Sequence, residues 1–135
     1  MLNHGVIAGS FDVIHPGYVY MFEECKKYCN KLTILLQDDP TVERPFKLKP
    51  ILTFEEREKI LYSIRYIDNV IRYTTEEELL IHLTRENFDI RFLGDDYLDK
   101  EFTGKYMHRI VHFIPRHHGW STTKFKKLIA ESICK

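Results

Sequence analysis

No sign of charge prevails in this sequence. Lys plus Arg and Asp plus Glu are both 20, the formal net charge is zero, and no overall field draws the chain to nucleic acid or to an anionic membrane. Any phosphate it handles must be met by local groups. Pro/Gly/Ser-rich and low-complexity stretches are also missing, and with 44% hydrophobic and 30% charged residues extended disorder is excluded. Cysteine is scarce and odd in number, three in all. Cys25 and Cys29 lie four apart with no third or fourth ligand spaced nearby, so buried thiols are expected and no protein-held metal. The amino terminus, Met1-Leu2-Asn3-His4-Gly5, runs into Val6-Ile7-Ala8 without the long apolar stretch of a signal peptide or membrane helix, so a cytoplasmic protein is expected. At 135 residues the chain has room for one α/β domain, 1–135, that buries roughly two-thirds of its unfolded surface.

Short apolar runs rich in β-branched residues recur at Val6-Ile7-Ala8, Leu32-Thr33-Ile34-Leu35-Leu36, Val70-Ile71, Ile90-Arg91-Phe92-Leu93 and Ile110-Val111-His112-Phe113-Ile114, and they predict five strands. Between the first two, Tyr18, Met21, Phe22, Cys25, Tyr28 and Cys29 follow a helical period. Thr53-Phe54-Glu55-Glu56 predicts a capping box opening a second helix with Ile60, Leu61 and Ile64 on one side. Thr75 with Glu78 repeats that signal before Leu79, Leu80 and Leu83. A last helix follows Ser121, with Phe125, Leu128, Ile129 and Ile133 as its expected buried stripe. Strands alternating with helices predict right-handed crossovers: a Rossmann-like α/β three-layer sandwich around a five-stranded, mostly parallel sheet.

In such a sheet, ligands bind outside the carboxyl ends of the strands, so the segment after each strand carries the functional signal. Those segments are Gly9-Ser10-Phe11-Asp12-Val13-Ile14-His15-Pro16-Gly17, Gln37-Asp38-Asp39, Gly94-Asp95-Asp96-Tyr97 and Arg116-His117-His118-Gly119-Trp120-Ser121-Thr122-Thr123-Lys124. Gly17 lets a ligand approach the start of the first helix, where unpaired amides and the helix dipole favour anions, and Ser121-Thr122-Thr123 does the same at the last helix. Two helix termini, His15 and Arg116 around one crevice suit a polyphosphate.

Gly9 to Tyr18 resembles the signature of the HxGH nucleotidyltransferases. Arg116 to Lys124 resembles the R-T-x-G-I-S-T-T-K-type segment of glycerol-3-phosphate cytidylyltransferases, and Gly94-Asp95-Asp96-Tyr97 resembles their G-D-D-W. Phe54-Glu55-Glu56-Arg57 and Ile64-Arg65-Tyr66-Ile67-Asp68 extend the similarity over nearly the whole chain. One departure stands out: Tyr18 occupies the place of the second signature histidine, and a phenol can donate a hydrogen bond but cannot carry an imidazolium charge.

The resemblance implies transfer of CMP from CTP to a small phosphorylated alcohol, with pyrophosphate released and Mg2+ carried mainly by the nucleotide. It implies catalytic roles for His15, Lys49 and Arg116. It places the nucleotide on Gly9, Ser10, Phe11, His15, Gly17, Tyr18, Asp95, Arg116, Ser121 and Thr122, and the acceptor near Asp12, Asp39, Lys47, Arg57 and Arg65. A homodimer meeting through the Arg57 to Asp68 region is implied as well.

Plainer readings stand beside these. Lys47 and Lys49 suit a basic lid between Pro40, Pro45 and Pro50, or a solvated surface. Arg57 and Arg65 suit a shared helical face aimed at an acceptor phosphate, or ion pairs with glutamates. Asp39, Asp95 and Asp96 suit ribose, base or metal contacts, or caps. His117 and His118 suit an exposed loop, and Trp120 a core. Tyr18 is expected to face the crevice although it continues the helix's apolar stripe. An adenylyltransferase of the same superfamily, or a nucleotide-binding module whose turnover was lost with the second histidine, are the alternative functions.

Overall fold

Each apolar run does become a strand, and each capped segment a helix. The structure, a computed structural model, describes residues 1–134. The order is β1 (Leu2–Gly9), α1 (Pro16–Lys26), β2 (Cys29–Gln37), a 3-10 turn (Pro40–Val42), α2 (Phe54–Tyr62), β3 (Asn69–Tyr73), α3 (Glu76–Arg85), β4 (Ile90–Gly94), a second 3-10 turn (Asp95–Tyr97), β5 (Val111–Ile114) and α4 (Thr122–Ile133). The sheet runs β3-β2-β1-β4-β5, and all four pairings are parallel. The chain therefore reverses its direction of growth between β1 and β4, which opens a crevice beyond their carboxyl ends. No helix among the described residues is long and apolar enough to cross a membrane.

The two-residue period of the strands sorts the core into two layers. Ile7, Ile34 and Leu36 pack with Phe22, Cys25 and Leu61 of α1 and α2, whereas Val6 and Leu35 pack with Leu79 and Leu83 of α3. Each such fully buried side chain stabilises the fold by about 1.5–3 kcal/mol relative to exposure. Thr53 forms its capping box, its hydroxyl accepting from Glu56 N at 3.1 Å while Glu56 Oε1 accepts from Thr53 N at 2.9 Å. At α3 the return arm shifts by one residue: Glu78 Oε2 accepts from Thr74 N rather than Thr75 N.

Three helical expectations are corrected. α1 stops at Lys26, so Tyr28 and Cys29 lie beyond it; Cys29 opens β2, captured by its pairing with Leu2. α2 stops at Tyr62, which leaves Ile64 and Arg65 in the following turn. The α4 stripe is not buried: Leu128, Ile129 and Ile133 are exposed, Ile133 at 77%. That helix meets the rest of the chain through Thr122, Phe125 and Lys126 in its first two turns, and its later residues project past them.

Candidate active site

The β1–α1 loop must turn sharply to bring α1 back over the sheet. Phe11 and Val13 do this with φ of 44° and 48°, in the left-handed region. For a β-branched Val13 this conformation is strained by about 1–3 kcal/mol and persists only because its surroundings hold it. Phe11 supplies one anchor, its buried ring packing on Tyr18 and Phe22. Its ring packs in the core and also lines the crevice. A Cβ on Gly9 would lie 3.1 Å from that ring.

Asp12 is the second anchor. Its carboxylate accepts from Ile51 N at 2.8 Å and Leu52 N at 3.0 Å and pairs with Lys126 Nζ at 3.1 Å. Burial alone would push this carboxyl up, but the two amides and the lysine outweigh it and hold it below its ordinary value. Asp12 thus ties down the 40–52 segment from the wall of the crevice. Arg57 is a third. Only 1% exposed, it donates from Nε to the carbonyls of Leu52 and Thr53, from Nη1 to those of Ser10 and Gln37, and from Nη2 to that of Asp38. It clamps the exits of β1 and β2 to the start of α2 and has no face for an acceptor phosphate. Arg65, exposed and outside α2, donates to Tyr66 Oη and stays off the crevice.

His15 caps α1: its Nδ1 accepts from Gly17 N at 3.0 Å, so a neutral ring carries its proton on Nε2. The ring is 4% exposed, stacked on Tyr18 at 4.2 Å and parallel to Trp120 at 5.9 Å. Burial, then the charges of His118 and Arg116, lower its pKa below the usual histidine value, which keeps it neutral at pH 7. Gly17 serves a close approach here. A Cβ would lie 2.7 Å from Trp120 Cβ and 2.8 Å from both His118 Cε1 and His15 Cε1, so the helix start is packed directly against the loop after β5.

Tyr18 belongs to both surroundings. Its ring packs on the α1/α2 core, while its hydroxyl meets Thr122 Oγ1 at 2.5 Å and joins the starts of α1 and α4. Burial raises the phenol's pKa, so it stays protonated. Tyr18→Phe leaves Thr122 unanchored at the start of α4 and is expected to weaken triphosphate binding roughly tenfold, about 1.4 kcal/mol, by titration calorimetry. An unchanged Kd would make the residue packing alone.

On the β4–β5 side, Arg116 N donates to Asp95 Oδ2 at 3.2 Å, and Arg116 Nη1 lies 3.4 Å from Asp96 Oδ2. Asp95 thereby ties two strand exits together beside the crevice lining. Ser121 is likewise diverted, its hydroxyl capping α4 by accepting from Lys124 N at 3.1 Å; Thr122 and Thr123 face the crevice instead. Asp39 caps its 3-10 turn through Thr41. In the lid segment Lys47 lines the crevice, while Lys49 lies exposed outside it, its charge felt at Asp39.

The resulting crevice, about 1040 Å³, is bounded by Gly9, Ser10, His15, Gly17, Tyr18, Lys47, Arg116, Thr122 and Thr123, all singled out from sequence. Lys126, Arg91, Tyr73 and Glu76 also line it and were missed, and so does His118, for which an exposed loop was expected. Lys126 sits one turn beyond Thr122 on the same helical face, and Arg91 interrupts an apolar strand. Both signals were present in the sequence.

A sequence-family model described as cytidylyltransferase-like matches residues 6–131. A glycerol-3-phosphate cytidylyltransferase of Bacillus subtilis is 33% identical over 122 residues, covering 90% of this chain and 93% of that protein. An FAD synthase of Methanohalophilus mahii is 34% identical over 103 residues, 75% of this chain and 70% of that protein. Among solved structures, a lipopolysaccharide core biosynthesis protein from Thermoplasma volcanium superimposes with a TM-score of 0.68 at 21% identity, covering 84% of this chain and 98% of that one, and shares the fold.

Proposed function

Since this chain belongs to the cytidylyltransferase-like family and is a nucleotidyltransferase, we propose that it transfers CMP from CTP to a small phosphorylated alcohol of the glycerol-3-phosphate kind, releasing pyrophosphate. The observation that carries this reading is the convergence of two helix amino termini, the Nε2–H of His15, Lys47 and Arg116 on one crevice. A phosphate oxygen of the acceptor attacks the α-phosphorus in line, the bond to the α–β bridging oxygen breaks, and its electron pair leaves with pyrophosphate. The protein's part is to position both substrates and meet the charge. His15 donates from Nε2 to the phosphates, the amides of Thr122 and Thr123 face the β and γ groups, and Arg116 neutralises them from the rim.

Magnesium would offset phosphate charge. Among the described residues no three His, Cys, Asp or Glu side chains converge as metal ligands, so the nucleotide's own oxygens hold the ion in this reading. A cytoplasmic homodimer, with Ile60 and Tyr62 of α2 exposed for pairing, belongs to the same proposal. Adenylyl transfer is the second reading, favoured by the FAD synthase relative.

Pyrophosphate release is to be measured with each of CTP, ATP, GTP and UTP against a panel of phosphorylated polyols. CTP is expected to give the highest rate; a preference for ATP would establish the second reading, and binding without release a module lacking turnover. Lys47→Ala is expected to lower kcat about tenfold or more with little change in CTP affinity, because a lid cation acts mainly in the transition state. Lys49→Ala should have the smaller effect, and equal losses would show that the lid rearranges around both.

A further inference from the structure

Arg91 stands in the middle of β4, between Ile90 and Phe92, where a parallel strand covered on both faces calls for apolar side chains. It is 4% exposed. Its Nη1 donates to the Thr103 carbonyl and its guanidinium lies 5.1 Å over the Phe102 ring, but among the described residues no carboxylate lies within ion-pair distance. A buried cation with no counter-ion in contact is costly, and the more distant charge of Glu76 offsets that only in part. Burial accordingly depresses its pKa.

One further group on the same wall lacks a partner. Glu76 has one oxygen held by Arg44 at 2.7 Å, while its Oε2 is buried and accepts nothing. Tyr73, 4% exposed, lies near enough to both that the charges of Glu76 and Arg91 bear on its phenol. All three line the crevice. Arg91 pairs in register with Val6, whose side chain packs with Leu79 and Leu83, so it reaches the crevice from the α3 side of the sheet. His15 and the α1 and α4 termini approach from the other side. The nucleotide phosphates and this wall are thus separate parts of one crevice.

We infer that Arg91 sets acceptor specificity: it pairs with a second anionic group, a carboxylate or phosphate, at the end of the acceptor remote from its reacting phosphate, while Glu76 Oε2 accepts from an acceptor hydroxyl. The inference rests on the nucleotidyl-transfer reading and narrows its acceptor to hydroxylated phosphate esters with an anionic tail. A guanidinium can meet either anion with parallel N–H donors.

Glycerol 3-phosphate and 3-phosphoglycerate have the same carbon count and differ in the tail, hydroxymethyl against carboxylate; glycerol 1,3-bisphosphate supplies a phosphate tail and keeps a free hydroxyl. With the parent protein and CTP, the anionic-tailed acceptors are expected to show KM values lower by about tenfold or more. Arg91→Met should remove that advantage while leaving the KM for CTP and for glycerol 3-phosphate within about twofold, and Arg91→Lys should restore part of it. A parent that uses glycerol 3-phosphate as well as 3-phosphoglycerate, or an equal loss for all acceptors in Arg91→Met, overturns the inference and makes Arg91 a support for the Thr103 loop. Thermal unfolding of the parent with each acceptor alone reads the same pocket without any variant: 3-phosphoglycerate should protect and glycerol 3-phosphate should not, and equal protection counts against Arg91. Should no triphosphate yield pyrophosphate, the transfer reading fails while this binding measurement still decides the role of Arg91.

Discussion

His15→Ala is expected to lower kcat/KM for pyrophosphate release at least ~100-fold, about 2.7 kcal/mol of barrier, because it deletes a buried donor between the two helix termini. It also deletes the α1 cap, worth ~1 kcal/mol of stability. His15→Asn separates the two effects. An asparagine can still accept from Gly17 N but cannot place a donor where Nε2 stands, so it should keep the unfolding midpoint and lose the activity. Near-normal turnover in either variant would remove His15 from catalysis. The ring's folded pKa lies below its unfolded one, so the stability it contributes is complete above pH 6.5 and is lost as the pH falls through the lower folded value. Bound phosphates oppose that shift, so CTP should protect against unfolding more strongly as the pH falls from 7 towards 6.

Arg57→Met should be destabilising by at least ~3–5 kcal/mol, a large share of the ~5–15 kcal/mol that holds a typical domain. The methionine fills similar volume but leaves the carbonyls of Ser10, Gln37, Asp38, Leu52 and Thr53 without their guanidinium donor. Lysine should not rescue it, since an ammonium cannot span donors arranged in a planar fork. Urea unfolding measures the loss. Arg65→Ala, at an exposed position, should stay within ~0.5 kcal/mol. A mild effect at Arg57 would return it to the pool of substrate-binding candidates.

The strand runs, the caps at Thr53, Thr75 and Ser121, and the alternation that makes the sheet parallel were legible because each depends on residues within a turn of one another. Helix ends were less so. Nothing local stops α1 at Lys26; pairing of Leu2 with Cys29 does, from the other end of the strand pair. The exposed stripe of α4 misled for a related reason, since a helical period shows an apolar face but not whether anything covers it.

For the site, the sequence by itself determined where chemistry can happen: the polar segments follow parallel strands, and this topology leaves their exits on one edge. It also determined that a helix starts about Gly17, while the structure showed that His15 caps it. Only the tertiary structure decided which polar groups remain free. Arg57 is occupied by Ser10, 47 positions away, Asp12 by Ile51 and Leu52, and Tyr18 by Thr122, 104 positions away, whereas Arg91 is left without an ion-pair partner among the described residues and Glu76 Oε2 without a hydrogen bond. A residue's type sets what bonds it can make, and those bonds are consumed by whatever the fold brings within about 3 Å, which spacing along the chain does not encode.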